Sequence, residues 1–223
     1  MRIIDASDIH IHTDTAPYIM FDFAKIVAKE EPDLLVLNGD IADPWKSTWN
    51  EILKSSAWKI LQGLVGMRTA KGLRTVYINR NHDYNAKPEY LVGAELTPSL
   101  KVDNYLFVHG WEFDLSWNPF VAPIAFAISK YTPKLMLPIY NALFPSCSDE
   151  KNHSGEMCDD WNLHVGMIHL RAMQYAKAND LKVFIGHTHN PLPFNGLIAD
   201  SGDMVDSFSY LEIEDGKVEL RFL

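Results

Sequence analysis

The sequence predicts a layered α/β protein, because short apolar runs typical of strands alternate with longer segments of helical pattern. The run "DLLVLN" at 33–38 is almost continuously apolar, as expected of a strand buried on both faces. The segment 17–31 begins at a proline and stops before Pro32, which are signals of helix start and stop. The strand-like runs end directly in polar residues, and such ends carry ligands in α/β folds.

The predicted elements follow one another regularly along the chain. Strands are predicted at "RIIDAS" (2–7), "DLLVLN" (33–38), "LRTVYIN" (73–79), "YLFVH" (105–109) and "LKVFI" (181–185), and helices over 17–31, 48–67 and 161–178. In "SFSYLEIEDGKVELRF" the pair Asp215-Gly216 separates two alternating runs, which predicts a β-hairpin.

One domain, 1–223, is predicted, with a helical cap insertion at about 111–160, where the sequence becomes aromatic and punctuated by proline. Its longest apolar stretch, 120–144, is interrupted by Lys130 and Lys134, whereas a membrane-spanning helix needs about 20 apolar residues. We therefore expect no transmembrane segment. We expect instead an amphipathic cap that lies over the polar ends of the strands. Whether this cap also contacts a membrane surface is left open.

Composition narrows the classes of partner and location. A formal net charge of −9 and a pI near 5.4 argue against broad binding to phosphate backbones, so nucleic acid is not the expected partner. The N-terminus lacks the features of a secretory signal, which favours a cytoplasmic location. In that compartment Cys147 and Cys158 are expected to be free thiols, with a local disulfide as the alternative.

Side chains that can bind metal ions follow five of the strand-like runs. They are Asp8 and His10 in "SDIH", Asp40 and Asp43 in "NGDIAD", Asn81, His82 and Asp83 in "RNHD", His109 in "VHG", and His187 and His189 in "GHTH". Residues i and i+2 of an extended strand point to the same side, so the first and last pairs can each face one cavity. Gly39 and Gly186 would let the backbone pass close to these side chains.

This mixture of carboxylates, imidazoles and one amide suits Mn²⁺, Fe²⁺ or Zn²⁺. The set is too large for one ordinary site and suits two ions about 3.5–4 Å apart that share one carboxylate. Each of these short motifs alone has a purely structural explanation, since Asp40 could be a turn residue and Asp8 a helix cap. Their ordered repetition at five predicted strand ends favours a metal centre.

The motifs "DIH", "GDIAD", "NHD", "HG" and "GHTH" resemble the five ordered motifs of the calcineurin-like metallophosphoesterases. The resemblance runs from Asp8 to His189 and implies a four-layer αββα sandwich of two mixed sheets, with a dinuclear centre at the strand ends. It implies the following metal ligands: Asp8, His10 and His189 for one ion, Asn81, His109 and His187 for the other, and Asp40 as the bridge. It also implies that His82 is the catalytic acid beside the scissile phosphate, oriented by Asp43.

The implied function is hydrolysis of a phosphodiester, pyrophosphate or phosphomonoester bond by a metal-bound hydroxide, with two divalent ions, Mn²⁺ first and Fe²⁺ or Zn²⁺ as alternatives. A small-molecule or lipid-linked phosphate is the expected substrate. Two alternatives stay open: a nuclease or cyclic-nucleotide phosphodiesterase that uses the same centre, and a non-catalytic scaffold that binds a partner through the cap.

Within the family, "HGWEFD" and "GHTHNP" look most like the branch that contains the UDP-2,3-diacylglucosamine diphosphatases. His82 and Asn190 stand where that branch carries arginine, and Pro44 stands where an arginine is common. Arg80 replaces the usual glycine before the motif-three asparagine, so either that turn differs or Asn79 absorbs the strain.

Four further histidines lie outside the motifs. His12 is either a substrate contact or an exposed side chain, and His164 and His169, five residues apart on a helix, are expected to be structural. Cys147, His153 and Cys158 are weak candidates for a small additional metal site.

Overall fold

The computed structural model describes residues 1–114 and 159–223, with the backbone alone for residues 159 and 160. Its strands are β1 Arg2–Ala6, β2 Leu34–Asn38, β3 Arg74–Ile78, β4 Glu95–Thr97, β5 Leu100–Val102, β6 Tyr105–Phe107, β7 Lys182–Ile185, β8 Ile198–Asp200, β9 Ser209–Glu214 and β10 Lys217–Phe222. The α-helices are α1 Pro17–Glu30, α2 Trp49–Ile52, α3 Ser56–Ala70 and α4 Asp159–Asn179.

The described strands form two mixed sheets. The first has the order β10-β9-β1-β2-β3-β4, in which β1 to β4 run parallel and β9 runs antiparallel to β1 and β10. The second has the order β5-β6-β7-β8, in which β6, β7 and β8 run parallel and β5 is antiparallel to β6. The carboxyl ends of parallel strands meet at one edge of each sheet, which brings the loops after them together.

In residues 1–114 and 159–223, three apolar cores separate four layers. The helices α1 and α3 pack on the first sheet around Phe23, Trp58 and Tyr77. Phe107 and Phe184 of the second sheet pack in the core that also contains Ile3 and Val36 of the first, and their rings stack at 4.9 Å. On the far face, Ile168 and Ala172 of α4 pack against β7. The order is therefore helix, sheet, sheet, helix, as predicted.

Several predicted elements differ in detail. The helix predicted over 48–67 is wrong, because the chain breaks it into α2 and α3. The Ser55 hydroxyl accepts a hydrogen bond from the Trp58 amide at 3.2 Å and so begins a new helix, while Thr48 and Glu51 form a capping box for α2. The three-residue strands β4, β5 and β8 were not predicted, since they are too short to show alternation.

The predicted hairpin is confirmed, since Asp215 and Gly216 connect β9 to β10 with φ of +49° and +85°. Apart from its two ends, the predicted cap at 111–160 lies outside the described residues, as do Cys147, His153, Cys158 and the apolar stretch 120–144. Residues Trp111–Phe113 form one 3₁₀ turn. No helix within residues 1–114 and 159–223 has both the length and the apolar character needed to cross a bilayer.

A carboxyl group is buried beneath the loops. Asp5 of β1 has no exposed surface, and by strand alternation it faces the second sheet, as Ile3 does. Burial raises the pKa of Asp5 well above its ordinary value, and Asn38 nearby offsets only part of that rise. The charges of Asp200 and Asp8 raise it further.

This pKa predicts a stability effect that depends on pH. Below about pH 4 the Asp5 carboxyl is protonated in both the folded and the unfolded protein. As the pH rises above about 4, the unfolded chain loses this proton first, so the folded state is progressively destabilised. Asp5→Asn removes this titration. We expect its stability relative to wild type to increase with pH above about 4, by up to about 1.4 kcal/mol per unit, in urea unfolding at matched metal content. If the difference in unfolding free energy between Asp5→Asn and wild type does not change with pH, the prediction is contradicted.

Candidate metal centre

All seven predicted metal ligands lie in loops at the carboxyl ends of strands, at the edge where the two sheets meet. Three loops come from the first sheet, after β1, β2 and β3, and two come from the second, after β6 and β7. Three of them, Asp8, Asp40 and His109, are almost fully shielded from solvent, with at most 1% of each residue exposed. The sequence-predicted set is therefore brought together in space.

Asp8, His10 and His189 form the first group. The Nε2 atom of His189 lies 3.2 Å from Asp8 Oδ1 and 3.2 Å from His10 Nε2, and His10 Nε2 lies 3.7 Å from the same carboxylate oxygen. Their ligand atoms all fall within 4.8 Å of one another. Three such atoms can hold one divalent ion between them.

Asp40, Asn81, His109 and His187 form the second group. Asp40 Oδ2 lies 3.3 Å from His109 Nε2 and 3.1 Å from Asn81 Nδ2, which is in turn 3.3 Å from His187 Nδ1. Asn81 Oδ1 is buried without a hydrogen-bond partner. A 180° rotation of this amide would bring the oxygen, its metal-binding atom, into the group.

The hydrogen bonds of His109 show which atom is available for a cation. Its Nδ1 donates to the carbonyl oxygen of Asn38 at 2.9 Å, so Nε2 carries the lone pair to which either a proton or a metal ion can bind. That lone pair faces carboxylate oxygens of Asp40, at 3.3 Å, and Asp8, at 4.0 Å. Both His109 Nε2 and Asp8 Oδ1 are buried without a hydrogen-bond partner. Facing acceptors of this kind require a proton or a metal ion between them, and the donor set fits divalent ions.

Asp40 lies between the two groups. Its Oδ2 atom is 3.3 Å from His109 of the second group and 3.9 Å from His10 of the first. Its other oxygen accepts the backbone N–H of His82 at 2.9 Å, which fixes the carboxylate. The position is the one that a shared ligand would need.

The charges in the cluster favour ionised carboxylates. Burial raises the pKa of Asp40, but the charges of His109 and His82 lower it, to about 2. Burial lowers the pKa of His109, but Asp40 and Asp8 raise it, to about 10. The cluster thus draws positive charge to itself, and a divalent ion would displace the imidazole protons.

His82 and Asp43 form the predicted pair beside this cluster. His82 Nδ1 lies 3.0 Å from Asp43 Oδ1, while its Nε2 lies 3.8 Å from Asp40 Oδ2. Burial raises the pKa of Asp43, but the charges of His82 and His10 hold it well below its ordinary value. Trp45 stacks on the His82 ring with centroids 3.8 Å apart. Sequence reasoning missed Trp45, whose only signal is its place two residues after Asp43.

Backbone conformation is unusual at six of the seven predicted ligands, which have positive φ. The values are Asp8 52°, His10 50°, Asp40 50°, Asn81 60°, His187 71° and His189 54°. Asp8 with His10, and His187 with His189, were predicted to lie on extended strands. That prediction is wrong, because β1 ends at Ala6 and β7 at Ile185. Left-handed turns make the side chains converge. Each such residue costs on the order of 1–3 kcal/mol, and such strain clusters at functional sites.

The turn around Arg80 resolves one open question from the sequence. Arg80 is extended, with φ −147° and ψ 160°, which any residue can adopt. The left-handed conformation falls on Asn81 instead, so neither Arg80 nor Asn79 carries the strain.

Two glycines allow the close approach that the sequence predicts. A Cβ atom at Gly39, whose φ is +86°, would lie 2.4 Å from the ring of His109. One at Gly186 would lie 2.0 Å from Ser7 Oγ and 2.5 Å from Asp8 Oδ2. Neither position has room for a side chain.

Gly39→Ala is therefore expected to lower the thermal stability of the protein sharply and to displace His109. The matched control is Gly72→Ala, because Gly72 also has positive φ, +71°, but a Cβ atom there would meet no other atom within 4 Å. The control should show only the cost of backbone strain, about 1–3 kcal/mol. Equal losses of melting temperature in the two variants would contradict the role given to the Gly39–His109 contact.

A cavity of about 270 Å³ opens beside the two groups. Its described wall includes Trp45, Lys46, Trp161, Ile168 and Val205. Lys46 is the one lysine or arginine among the described lining residues, and its Nζ lies 3.4 Å from Asp43 Oδ2. His12 is not among those lining residues.

Sequence reasoning also missed polar residues that contact the predicted ligands. Asp114 Oδ2 lies 3.1 Å from His187 Nε2, and Asp203 Oδ2 lies 4.0 Å from His189 Nδ1. His164 lines the cavity and contacts Asp114, so it is more than a packing residue of α4. His169 is structural, as predicted: it contacts Asp200, which accepts a hydrogen bond from Thr188 in the "GHTH" loop.

Comparison with known proteins gives likeness in structure but not in sequence. No family model and no curated protein matches the chain. Among solved structures, Yfce, a phosphoesterase from E. coli, matches with a TM-score of 0.46 at 11% identity, covering 100% of this chain and 93% of that one. A Pseudomonas putida nuclease, MPE, matches with a TM-score of 0.42 at 12% identity over 98% and 87%. TT1561 of Thermus thermophilus matches with a TM-score of 0.48 at 11% identity over 99% and 98%.

These likenesses concern the fold. The chain's own two mixed sheets, its outer helices and its loops at the strand ends agree with the fold that the resemblance to calcineurin-like metallophosphoesterases implies.

Proposed function

We propose that the protein is a metal-dependent phosphoric ester hydrolase of the calcineurin-like type, with two divalent ions in the candidate metal centre. The observation that carries the proposal is that His109 Nε2, Asp8 Oδ1 and Asp40 Oδ2 are buried and face one another, an arrangement that requires a proton or a metal ion between them. Asp8, His10 and His189 would hold one ion and Asn81, His109 and His187 the other, with Asp40 shared. When bound, the ions lower the pKa of a water molecule and neutralise phosphate charge.

His82 is the residue that we assign to proton transfer. Asp43 Oδ1 accepts a hydrogen bond from His82 Nδ1 at 3.0 Å, and Trp45 stacks on the ring, so the imidazole is fixed in tautomer and orientation. In its protonated form Nε2 can donate to the oxygen that leaves phosphorus. The bond between phosphorus and that oxygen breaks, water supplies the new oxygen, and the His82 proton ends on the leaving group.

The charge of the cavity favours a compact phosphate substrate. Besides the proposed ligands, Asp43, Asp114 and Asp206 line the described wall, against one lysine. A long polyanion would be repelled by such a wall outside the metal centre, whereas a single phosphate or pyrophosphate group can bind the ions directly. Trp161, Ile168 and Val205 offer an apolar surface to the rest of a small-molecule or lipid-linked substrate.

Hydrolysis by protein stripped with a chelator and reloaded with one metal tests the proposal. We expect activity on bis(p-nitrophenyl) phosphate or p-nitrophenyl phosphate to return with Mn²⁺, with Fe²⁺ and Zn²⁺ as comparisons. Single-stranded DNA and a cyclic nucleotide, assayed in parallel, examine the nuclease and cyclic-nucleotide alternatives. If Mn²⁺ binds but no substrate is hydrolysed, the non-catalytic scaffold becomes the better explanation. If none of the three metals binds, the proposal is wrong.

A further inference from the structure

Asp114 connects the candidate metal centre to helix α4. It follows the 3₁₀ turn Trp111–Phe113, which comes directly after His109 and Gly110. The residue is 7% exposed and carries a carboxylate. The Oδ2 atom contacts two imidazoles, His187 Nε2 at 3.1 Å and His164 Nε2 at 3.2 Å.

The two nitrogens of His187 face different partners. Nδ1 points into the second group, 3.3 Å from Asn81, while Nε2 points out of it to Asp114. An imidazole that offers its Nδ1 lone pair to a cation carries its proton on Nε2, and that proton needs an acceptor. A carboxylate in this position fixes the tautomer and the ring orientation of a metal-binding histidine.

His164 supplies the second contact from α4. Its Nε2 can donate to the same oxygen of Asp114, and Arg171 of the same helix donates from Nη1 to the carbonyl oxygen of Phe113 at 3.0 Å. The rings of Phe113 and Tyr175 also lie 5.7 Å apart. These contacts fasten the short turn that carries Asp114 to α4.

We propose that Asp114 is a positioning residue for the second metal ion, and that His164 positions Asp114 in turn. Asp114 holds His187 with its Nδ1 lone pair directed at the ion, and His164 ties that carboxylate to α4. The affinity for the second ion is thereby coupled to the docking of α4. This inference rests on the proposed function, since it requires His187 to be a metal ligand.

Titration of the full chain with Mn²⁺, followed by electron paramagnetic resonance, tests the inference without an activity assay. The dinuclear site gives an exchange-coupled signal, and a single bound ion gives a six-line signal. For Asp114→Ala we expect binding of the second ion to weaken about 10- to 100-fold, with the first ion bound as in wild type. Asp114→Asn keeps an acceptor for His187, so its affinity for the second ion should fall by less.

Variants of His164 separate positioning from packing. His164→Ala should lower the affinity for the second ion by less than Asp114→Ala does. His164→Gln can still donate a hydrogen bond to Asp114, so it should restore part of that affinity. His12→Ala is the matched control, because this histidine lies near the site but outside the cavity wall, and it should bind both ions as wild type does.

Two outcomes would overturn the inference. One is that Asp114→Ala binds both ions with wild-type affinity. The other is that it weakens both ions equally and lowers the melting temperature in parallel, which indicates a merely structural residue. If the wild-type protein itself never gives the coupled signal, the two-ion centre of the proposed function fails, and this inference falls with it. A failure confined to Asp114→Ala leaves the hydrolase proposal standing.

Discussion

Asp40→Asn is expected to abolish hydrolysis and to remove one of two bound Mn²⁺ ions. Asparagine has nearly the shape of aspartate but no charge, and Asp40 Oδ2 lies between the two groups of ligands. A catalytic metal ion contributes several kcal/mol to transition-state stabilisation, and each 1.36 kcal/mol is a factor of about ten in rate. We therefore expect kcat to fall on the order of 10³-fold or more.

Metal content by elemental analysis and kcat on an aryl phosphate ester measure this effect together. Asp14→Asn is the matched control, since Asp14 is an exposed aspartate that does not line the cavity. The control should keep both ions and full activity. Retention of two ions and a wild-type kcat in Asp40→Asn would rule out Asp40 as the shared ligand.

His82→Ala is expected to lose activity while it keeps the metal ions. General acid catalysis contributes about 10²- to 10⁴-fold, so the loss should approach that range for esters with alkyl leaving groups, whose oxygen must be protonated. Esters of p-nitrophenol should lose less, because that leaving group departs readily as an anion. The measurement is kcat/KM for a series of leaving groups in the variant and in wild type.

Trp45→Phe provides the control for this prediction. Phenylalanine can still stack on the imidazole, so we expect little change in the dependence on the leaving group. An equal loss for every leaving group in His82→Ala, or a loss of metal in the same variant, would argue that His82 acts in binding and not as the acid.

The sequence predicted which candidate residues lie close together, but it did not predict the backbone conformation that brings them together. The order of strands and polar loops predicted that Asp8, Asp40 and Asn81 would lie at one edge of a parallel sheet, which the structure bears out. It also predicted that pairs such as His187 and His189 would share one side of a strand. They lie in left-handed turns instead, because tertiary contacts, and not local propensity, impose positive φ on residues other than glycine.

Residues that support the ligands were the hardest to predict. Asp114 and His164 are 50 residues apart, and no local pattern connects them. Sequence spacing placed His164 only on a helix, whereas its role depends on where that helix packs. The break between α2 and α3 was missed for a related reason, since Ser55 is an ordinary helix residue until its hydroxyl is seen to cap the next helix.

The two sheets contribute different halves of the proposed centre. Asp8, Asp40 and Asn81 extend from the first sheet, while His109, His187 and His189 extend from the second. Phe107 and Phe184 of the second sheet pack in one core with Ile3 and Val36 of the first, so they help to set the separation of these two halves. A cavity made there would alter the spacing of the ions, and bound ions would in return cross-link the sheets. The geometry of the proposed centre therefore depends on the thickness of the sandwich.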